Sequence, residues 1–158
     1  QLLTDGLEAC KVLWRDTPAS FESPTLSFRD IYCEPKPAQR DGVPLWISGT
    51  LHRRNIERLV RAGDAWIPIM GATLDDIAAG AALIRDEWAV AGRDPDDLQV
   101  RAPLPLVPGD VGATMESLPA VVATGATDVH VPLRAFTRDP ADAPKVMDEL
   151  VRRFRDAI

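Results

Sequence analysis

At 158 residues, 46% hydrophobic and 27% charged, the chain is long enough to bury a core and reads as one globular domain or one large piece of a bigger one. Its 18 Lys and Arg face 24 Asp and Glu with the signs interspersed, so there is no basic stripe to track a phosphodiester backbone and nucleic acid is not an expected partner. No apolar run approaches the roughly 20 residues of a membrane span, no signal-peptide pattern opens the chain, and Cys10 and Cys33 make neither a disulfide framework nor a zinc site, so a cytoplasmic protein with reduced thiols and no metal is expected.

The chain opens inside a helical pattern, with Leu3, Leu7, Cys10 and Trp14 on one face, as if cut from a longer polypeptide. A proline-rich excursion follows over residues 17–43, with β-like pieces around PTLSF and DIYC that suggest a small hairpin. PLWIS reads as a strand and Leu51–Ala62 as a helix with Ile56, Leu59 and Val60 on one face, closed by Gly63 in a left-handed cap. DAWIPI is the next strand. Thr73 with Asp76 forms a capping-box start, Ile77, Ala81, Ile84 and Trp88 carry the apolar stripe, and Gly92 stops that helix. After the GRDPDD turn comes VRAPLPLV, a strand whose prolines direct its second half out of the sheet. Thr114–Thr124 is read as a helix despite Pro119, VHVPL as a strand, and Ala143–Ile158 as a closing helix that buries Val146, Leu150, Val151 and Phe154.

Strands without clean alternation, each followed by a helix, point to a parallel sheet with helical crossovers. Trp46, Trp66, Val100 and Val129 mark four such strands, about 20 to 35 residues apart, which fits a β/α barrel or an open α/β sheet of the flavodoxin kind.

The run EPKPAQRDGVPLWISGTLHRRNIERLVRAGDAWIPI carries three linked patterns: Pro35-Lys36-Pro37-Ala38-Gln39, the strand Pro44–Gly49, and Gly63-Asp64-Ala65-Trp66-Ile67-Pro68. Together they resemble the middle of a luciferase-like monooxygenase, a flavin- or coenzyme F420-dependent oxidoreductase, and EACKVLW, AGRDPDDLQV and ATGATDVHVPL extend the resemblance over nearly the whole chain. The resemblance implies an α/β fold in which residues 1–158 form four consecutive β/α units, the C-terminal half of a TIM (β/α)8 barrel, with the excursion at 17–43. It further implies hydride transfer or oxygen activation on a small organic substrate, with coenzyme F420 as cofactor and FMN as the alternative, and catalytic groups upstream of Gln1. A homodimer or the missing N-terminal half of the barrel would complete the fold. The competing reading is a non-catalytic flavoprotein or half-barrel assembly partner.

Ser48, Gly49 and Thr50 stand where a strand meets a helix, a junction at which free backbone N–H groups and the helix dipole suit a phosphate, and where an N-cap by Thr50 is the plainer alternative. With the resemblance, these three are expected to hold the phosphate end of the cofactor, and Ile67, Pro68 and Ile69 to pass alongside its tail or else to pack in the core. His52 is expected at the surface or on the phosphate, His130 in a structural hydrogen bond, Trp46 and Trp66 at matching places in sheet packing, and Asp94, Asp96 and Asp97 in a solvated cap.

Overall fold

The computed structural model describes residues 1–39 and 42–157; Arg40 and Asp41 of the excursion and Ile158 of the closing helix lie outside the described residues. The chain begins with α1 (Leu2–Arg15) and a hairpin, β1 (Ala19–Glu22) and β2 (Ser27–Ile31). Then come β3 (Trp46–Ser48), α2 (Arg53–Arg61), β4 (Ala65–Ile67), α3 (Leu74–Val90), β5 (Gln99–Pro103), α4 (Val111–Met115), α5 (Leu118–Ala123), β6 (Asp128–His130) and α6 (Ala143–Ala157).

β3 to β6 form a parallel sheet in the order β3-β4-β5-β6. The order is sequential, with no reversal and so no topological switch point among the described residues, which favours the barrel reading over the flavodoxin-like alternative. The pairs Ile47↔Trp66, Trp66↔Val100 and Ala102↔Val129 put these side chains on one face. There they meet Leu59 of α2, the Ile77, Ala81, Ile84 and Trp88 stripe of α3, Leu118 and Val121 of α5 and Leu150 of α6 in a single core. The other face carries Trp46, Ser48, Ala65, Ile67, Arg101, Asp128 and His130, none of which belongs to that core among the described residues, and of these only Ala65 is buried.

Several sequence expectations are corrected by packing. Leu3 is 58% exposed, and α1 buries Thr4, Asp5 and Ala9 instead, because that face turns toward the hairpin, where Thr25 Oγ1 donates to the Asp5 carboxylate at 2.6 Å. The hairpin pairs ASFE with a single strand spanning the ends of PTLSF and DIYC, not two pieces. Gly63 does not adopt the left-handed conformation; a Cβ there would sit 2.9 Å from Ile47 Cδ1 and 3.0 Å from Leu59, so the glycine serves the close approach of α2 to β3. The 114–124 helix is two short helices, with Pro119 in the first turn of α5, where its missing N–H costs nothing. Val151 is 47% exposed, leaving Leu150 with the half-buried Val146 and Phe154 on the inner side of α6.

Other expectations hold. Thr73 and Asp76 make the reciprocal capping box, and Gly92 takes φ +75 just past α3. β5 ends at Pro103, and Asp94 caps the short turn at Pro95–Asp97 by accepting from Asp96 N at 3.0 Å. Cys10 and Cys33 are unpaired.

At the amino ends of the strands, Arg93 fixes α2 to the sheet. Its guanidinium lies 3.5 Å over the Trp88 ring, donates to the carbonyls of Leu59, Val60 and Gly63 at 2.8–3.0 Å, and approaches Asp64. Burial lowers its pKa, partly offset by Asp64 and Asp97. Asp64 in turn accepts from Lys11 and from Leu45 N, joining α1 and β3 to the same knot.

Candidate functional site

The turn that follows β3 lies at the carboxyl end of the sheet, the end where parallel α/β folds bind ligands. Its backbone is directional. Gly49 N donates to Ile67 O at 3.1 Å, tying the turn to β4, and Gly49 adopts φ +121, a conformation suited to glycine. The Gly49 carbonyl accepts from the Trp66 indole Nε1 at 2.9 Å, and the Thr50 carbonyl accepts from His52 N at 3.0 Å and Asn55 Nδ2 at 3.1 Å. Both carbonyls are thereby turned inward and satisfied. The N–H groups of Thr50 and Leu51 have no hydrogen-bond acceptor among the described residues.

Asn55 is 3% exposed and is held from its other side by Arg58 Nη1, which donates to Asn55 Oδ1 at 2.9 Å. His52, not Thr50, caps α2: its Nδ1 accepts from Asn55 N at 3.3 Å, which requires an Nδ1 without a proton. Trp66 is positioned by Gly80, where any Cβ would run into the indole ring and stand 2.9 Å from Leu51 Cδ1.

Gly49, Thr50 and Ile69 line a cavity of about 500 Å³, walled further by Leu51, Trp66, Met70 and the first turns of α3 from Asp76 to Leu83. The Asp76 carboxyl is held below its ordinary pKa by the Thr73 side chain and then the Thr73 backbone N–H, so a negative charge stands at this wall near neutral pH. The other three expected residues are elsewhere. Ser48 and Ile67 are register partners on the face of the sheet away from the core, and Pro68 is buried behind the β4 exit.

The two tryptophans do not match. Trp46 pairs with Ala65 and Trp66 with Ile47, one residue out of step, so their rings point to opposite faces. Trp46 lies on the face away from the core with the Arg101 guanidinium 4.1 Å over its ring. His130 is exposed at the end of β6, and its side chain makes no hydrogen bond among the described residues.

Asn55, Gly80 and the Trp66 N–H were not singled out by sequence reading. An asparagine among the apolar positions of a helix and a glycine in the middle of one are the signals that mark them.

The profile of the family described as Luciferase-like monooxygenase matches residues 1–157. Uncharacterised proteins of Mycobacterium tuberculosis and Mycobacterium bovis are 30% identical over 93 residues, a stretch covering 59% of this chain and 32% of each relative. Among solved structures, an F420-dependent secondary alcohol dehydrogenase in complex with an F420–acetone adduct superposes with a TM-score of 0.55 at 19% identity, over 98% of this chain and 52% of that one. The monooxygenase RslO1 from Streptomyces bottropensis gives 0.53 at 18%, over 96% and 48%. A riboflavin lyase with modified FMN and riboflavin gives 0.53 at 18%, over 78% and 32%. This chain therefore spans about half the length of the dehydrogenase and of RslO1, and about a third of the curated relatives that it matches. A profile match running almost from end to end, on a parallel α/β sheet of this kind, establishes that the chain belongs to the luciferase-like monooxygenase family.

Proposed function

We propose that the chain is the C-terminal half of a (β/α)8 barrel in an oxidoreductase that works through coenzyme F420 or FMN, and that the turn Ser48–Thr50 receives the phosphate of that cofactor. The observation that carries this reading is the polarity of the turn. Trp66, Asn55 and the His52 N–H engage the carbonyls of Gly49 and Thr50, while the N–H groups of Thr50 and Leu51, beside the N-terminus of α2, have no acceptor among the described residues. Backbone donors so arranged suit an anion, and the glycine leaves room for close approach.

The residues fit the group. In this reading Gly49 and Thr50 hold the phosphate and Ile69 flanks the tail as strand β4 ends, while Ser48 and Ile67 lie on the other face of the sheet and Pro68 is buried. The bound cofactor would supply a hydride or, as reduced flavin, activate oxygen, and the protein would supply orientation and an enclosed site. Arg101, on the face away from the core, faces the region that the other half of the barrel, or a second copy, would close.

Titration of the intact protein with FMN, riboflavin and coenzyme F420, followed by cofactor fluorescence, tests the reading. FMN is expected to bind at least about tenfold more tightly than riboflavin, and Gly49→Ala, which strains the turn, to abolish that preference while leaving riboflavin binding unchanged. Equal affinity for FMN and riboflavin in the unsubstituted protein would remove the phosphate from this turn.

A further inference from the structure

We infer that Arg101, held on the ring of Trp46, binds the carboxylate of a small anionic substrate; this rests on the oxidoreductase reading and names the class of molecule it acts on. The sheet places the group. Val100 and Ala102 point into the core, so Arg101 between them points to the opposite face, with Trp46 and Ala65. Ala65 is 0% exposed although it lies outside the core cluster, and its strand β4 runs between β3 and β5. One methyl group on the middle strand leaves room for Trp46 of β3 and Arg101 of β5 to meet above it, the guanidinium 4.1 Å from the ring centroid. Ser48 and Ile67, the last residues of β3 and β4, are register partners, and Ile67 follows Trp66 as Arg101 follows Val100, the partner of Trp66. Arg101 therefore stands level with the carboxyl ends of β3 and β4, on the face that would line the inside of a (β/α)8 barrel, where such barrels place their reacting groups.

What Arg101 lacks is an acid. Its guanidinium makes no hydrogen bond and no ion pair among the described residues. Arg93, the other arginine stacked on a tryptophan, shows the contrast, since it donates to three carbonyls and approaches Asp64. Asp128 stands directly across from Arg101 on β6, yet its carboxylate accepts from Thr127 Oγ1 at 2.9 Å instead. A guanidinium held over an indole by cation–π attraction keeps its fork of N–H groups free, and that fork matches a carboxylate bidentately. Arg101 is half-buried, and closure of the barrel would take it further from water, a setting in which a guanidinium needs an anion. Ser48 and His130, both exposed on this face, can hydrogen-bond the rest of such a ligand, while Asp128 disfavours a second negative charge on it. A monocarboxylate fits this arrangement.

The test titrates the intact protein with butanoate and with butanamide, its uncharged near-isostere, followed by tryptophan fluorescence. Butanoate is expected to bind at least about tenfold more tightly, the margin of a charge-assisted bidentate contact. Arg101→Met is expected to erase that margin without lowering the melting temperature, because no acid of the protein is left unpaired, and Arg101→Lys to keep only part of it. Four results would overturn the inference. Equal or undetectable binding of the two probes would deny a carboxylate site, and a margin that survives in Arg101→Met would place the site elsewhere. A lower melting temperature for Arg101→Met would pair the guanidinium with a carboxylate of the protein itself. Loss of the preference for FMN over riboflavin in Arg101→Met would assign it to the cofactor's phosphate. Failure of the oxidoreductase reading is seen separately, as absence of FMN and F420 binding while butanoate still binds more tightly than butanamide.

Discussion

Gly80 shows how one missing methyl group organises the candidate site. The Trp66 ring lies against the Gly80 backbone, and only from there does the indole N–H reach the Gly49 carbonyl at 2.9 Å. Alanine at this place would improve helix propensity by about 1 kcal/mol, since Gly80 sits inside α3. It would also overpack a contact with an aromatic ring that is 4% exposed, a penalty of about 1–3 kcal/mol. Steric cost wins, so Gly80→Ala is expected to lower the melting temperature, measured by circular dichroism, whereas Gly→Ala at an open helical position such as Gly6 raises it. A Gly80→Ala protein as stable as the parent would show that the ring has room to move.

At the scale of elements, α1 is held to the hairpin through a buried carboxylate. Asp5 is fully buried and accepts from Thr25 Oγ1 and from Gln1 Nε2, both at 2.6 Å. The Thr25 hydroxyl is the chief cause that holds its pKa below the ordinary aspartate value, against the opposing effect of burial. A carboxyl whose pKa is depressed on folding adds stability that is complete above its unfolded value of about 3.9 and is lost as pH falls through the folded value. Thermal melts from about pH 6 down to pH 3 should therefore fall more steeply for the unsubstituted chain than for Thr25→Val, in which the folded and unfolded values move together. Parallel curves would separate Thr25 from the acid response. Sequence pattern missed this contact because it depends on a residue 20 positions away. A helix stripe is legible when an apolar layer covers it, as for Ile77 to Trp88, and misleading when a polar hairpin does, as for Leu3. The capping box and the Gly92 stop were legible because they are local, whereas the Trp46 and Trp66 mismatch is a matter of register, which a one-residue offset between strands decides. Likewise the Ser48–Thr50 turn could be found as a strand-to-helix junction, but the bonds that orient it come from Asn55 and Trp66, one of them a strand away.

For the molecule as a whole, the decisive feature is a sheet whose core, among the described residues, joins the helices to one face. β3 and β6 are its outer strands, each with one edge unpaired among the described residues. The face away from the core is mixed: Trp46 and Ile67 are half-buried beside Ser48, Arg101, Asp128 and His130. A second apolar hollow, of about 470 Å³, opens beside β6 between Leu104, Val129, Leu150 and Phe154. Unpaired strand edges next to exposed apolar surface favour association, and the partner that satisfies both is another sheet of the same curvature. The 158-residue chain expressed alone is therefore expected to self-associate, and light scattering at several concentrations should show its mean mass rising with concentration. Charge offers the control. Val129→Lys, beside the β6 hollow, tests the hydrophobic contribution, and a lysine at Val43, which is 46% exposed before β3, tests the other edge. If β6 is the sticky side, the first substitution reduces association more than the second, and the reverse order assigns it to β3. A chain that stays monomeric at high micromolar concentration would show that its open edges are protected without a partner.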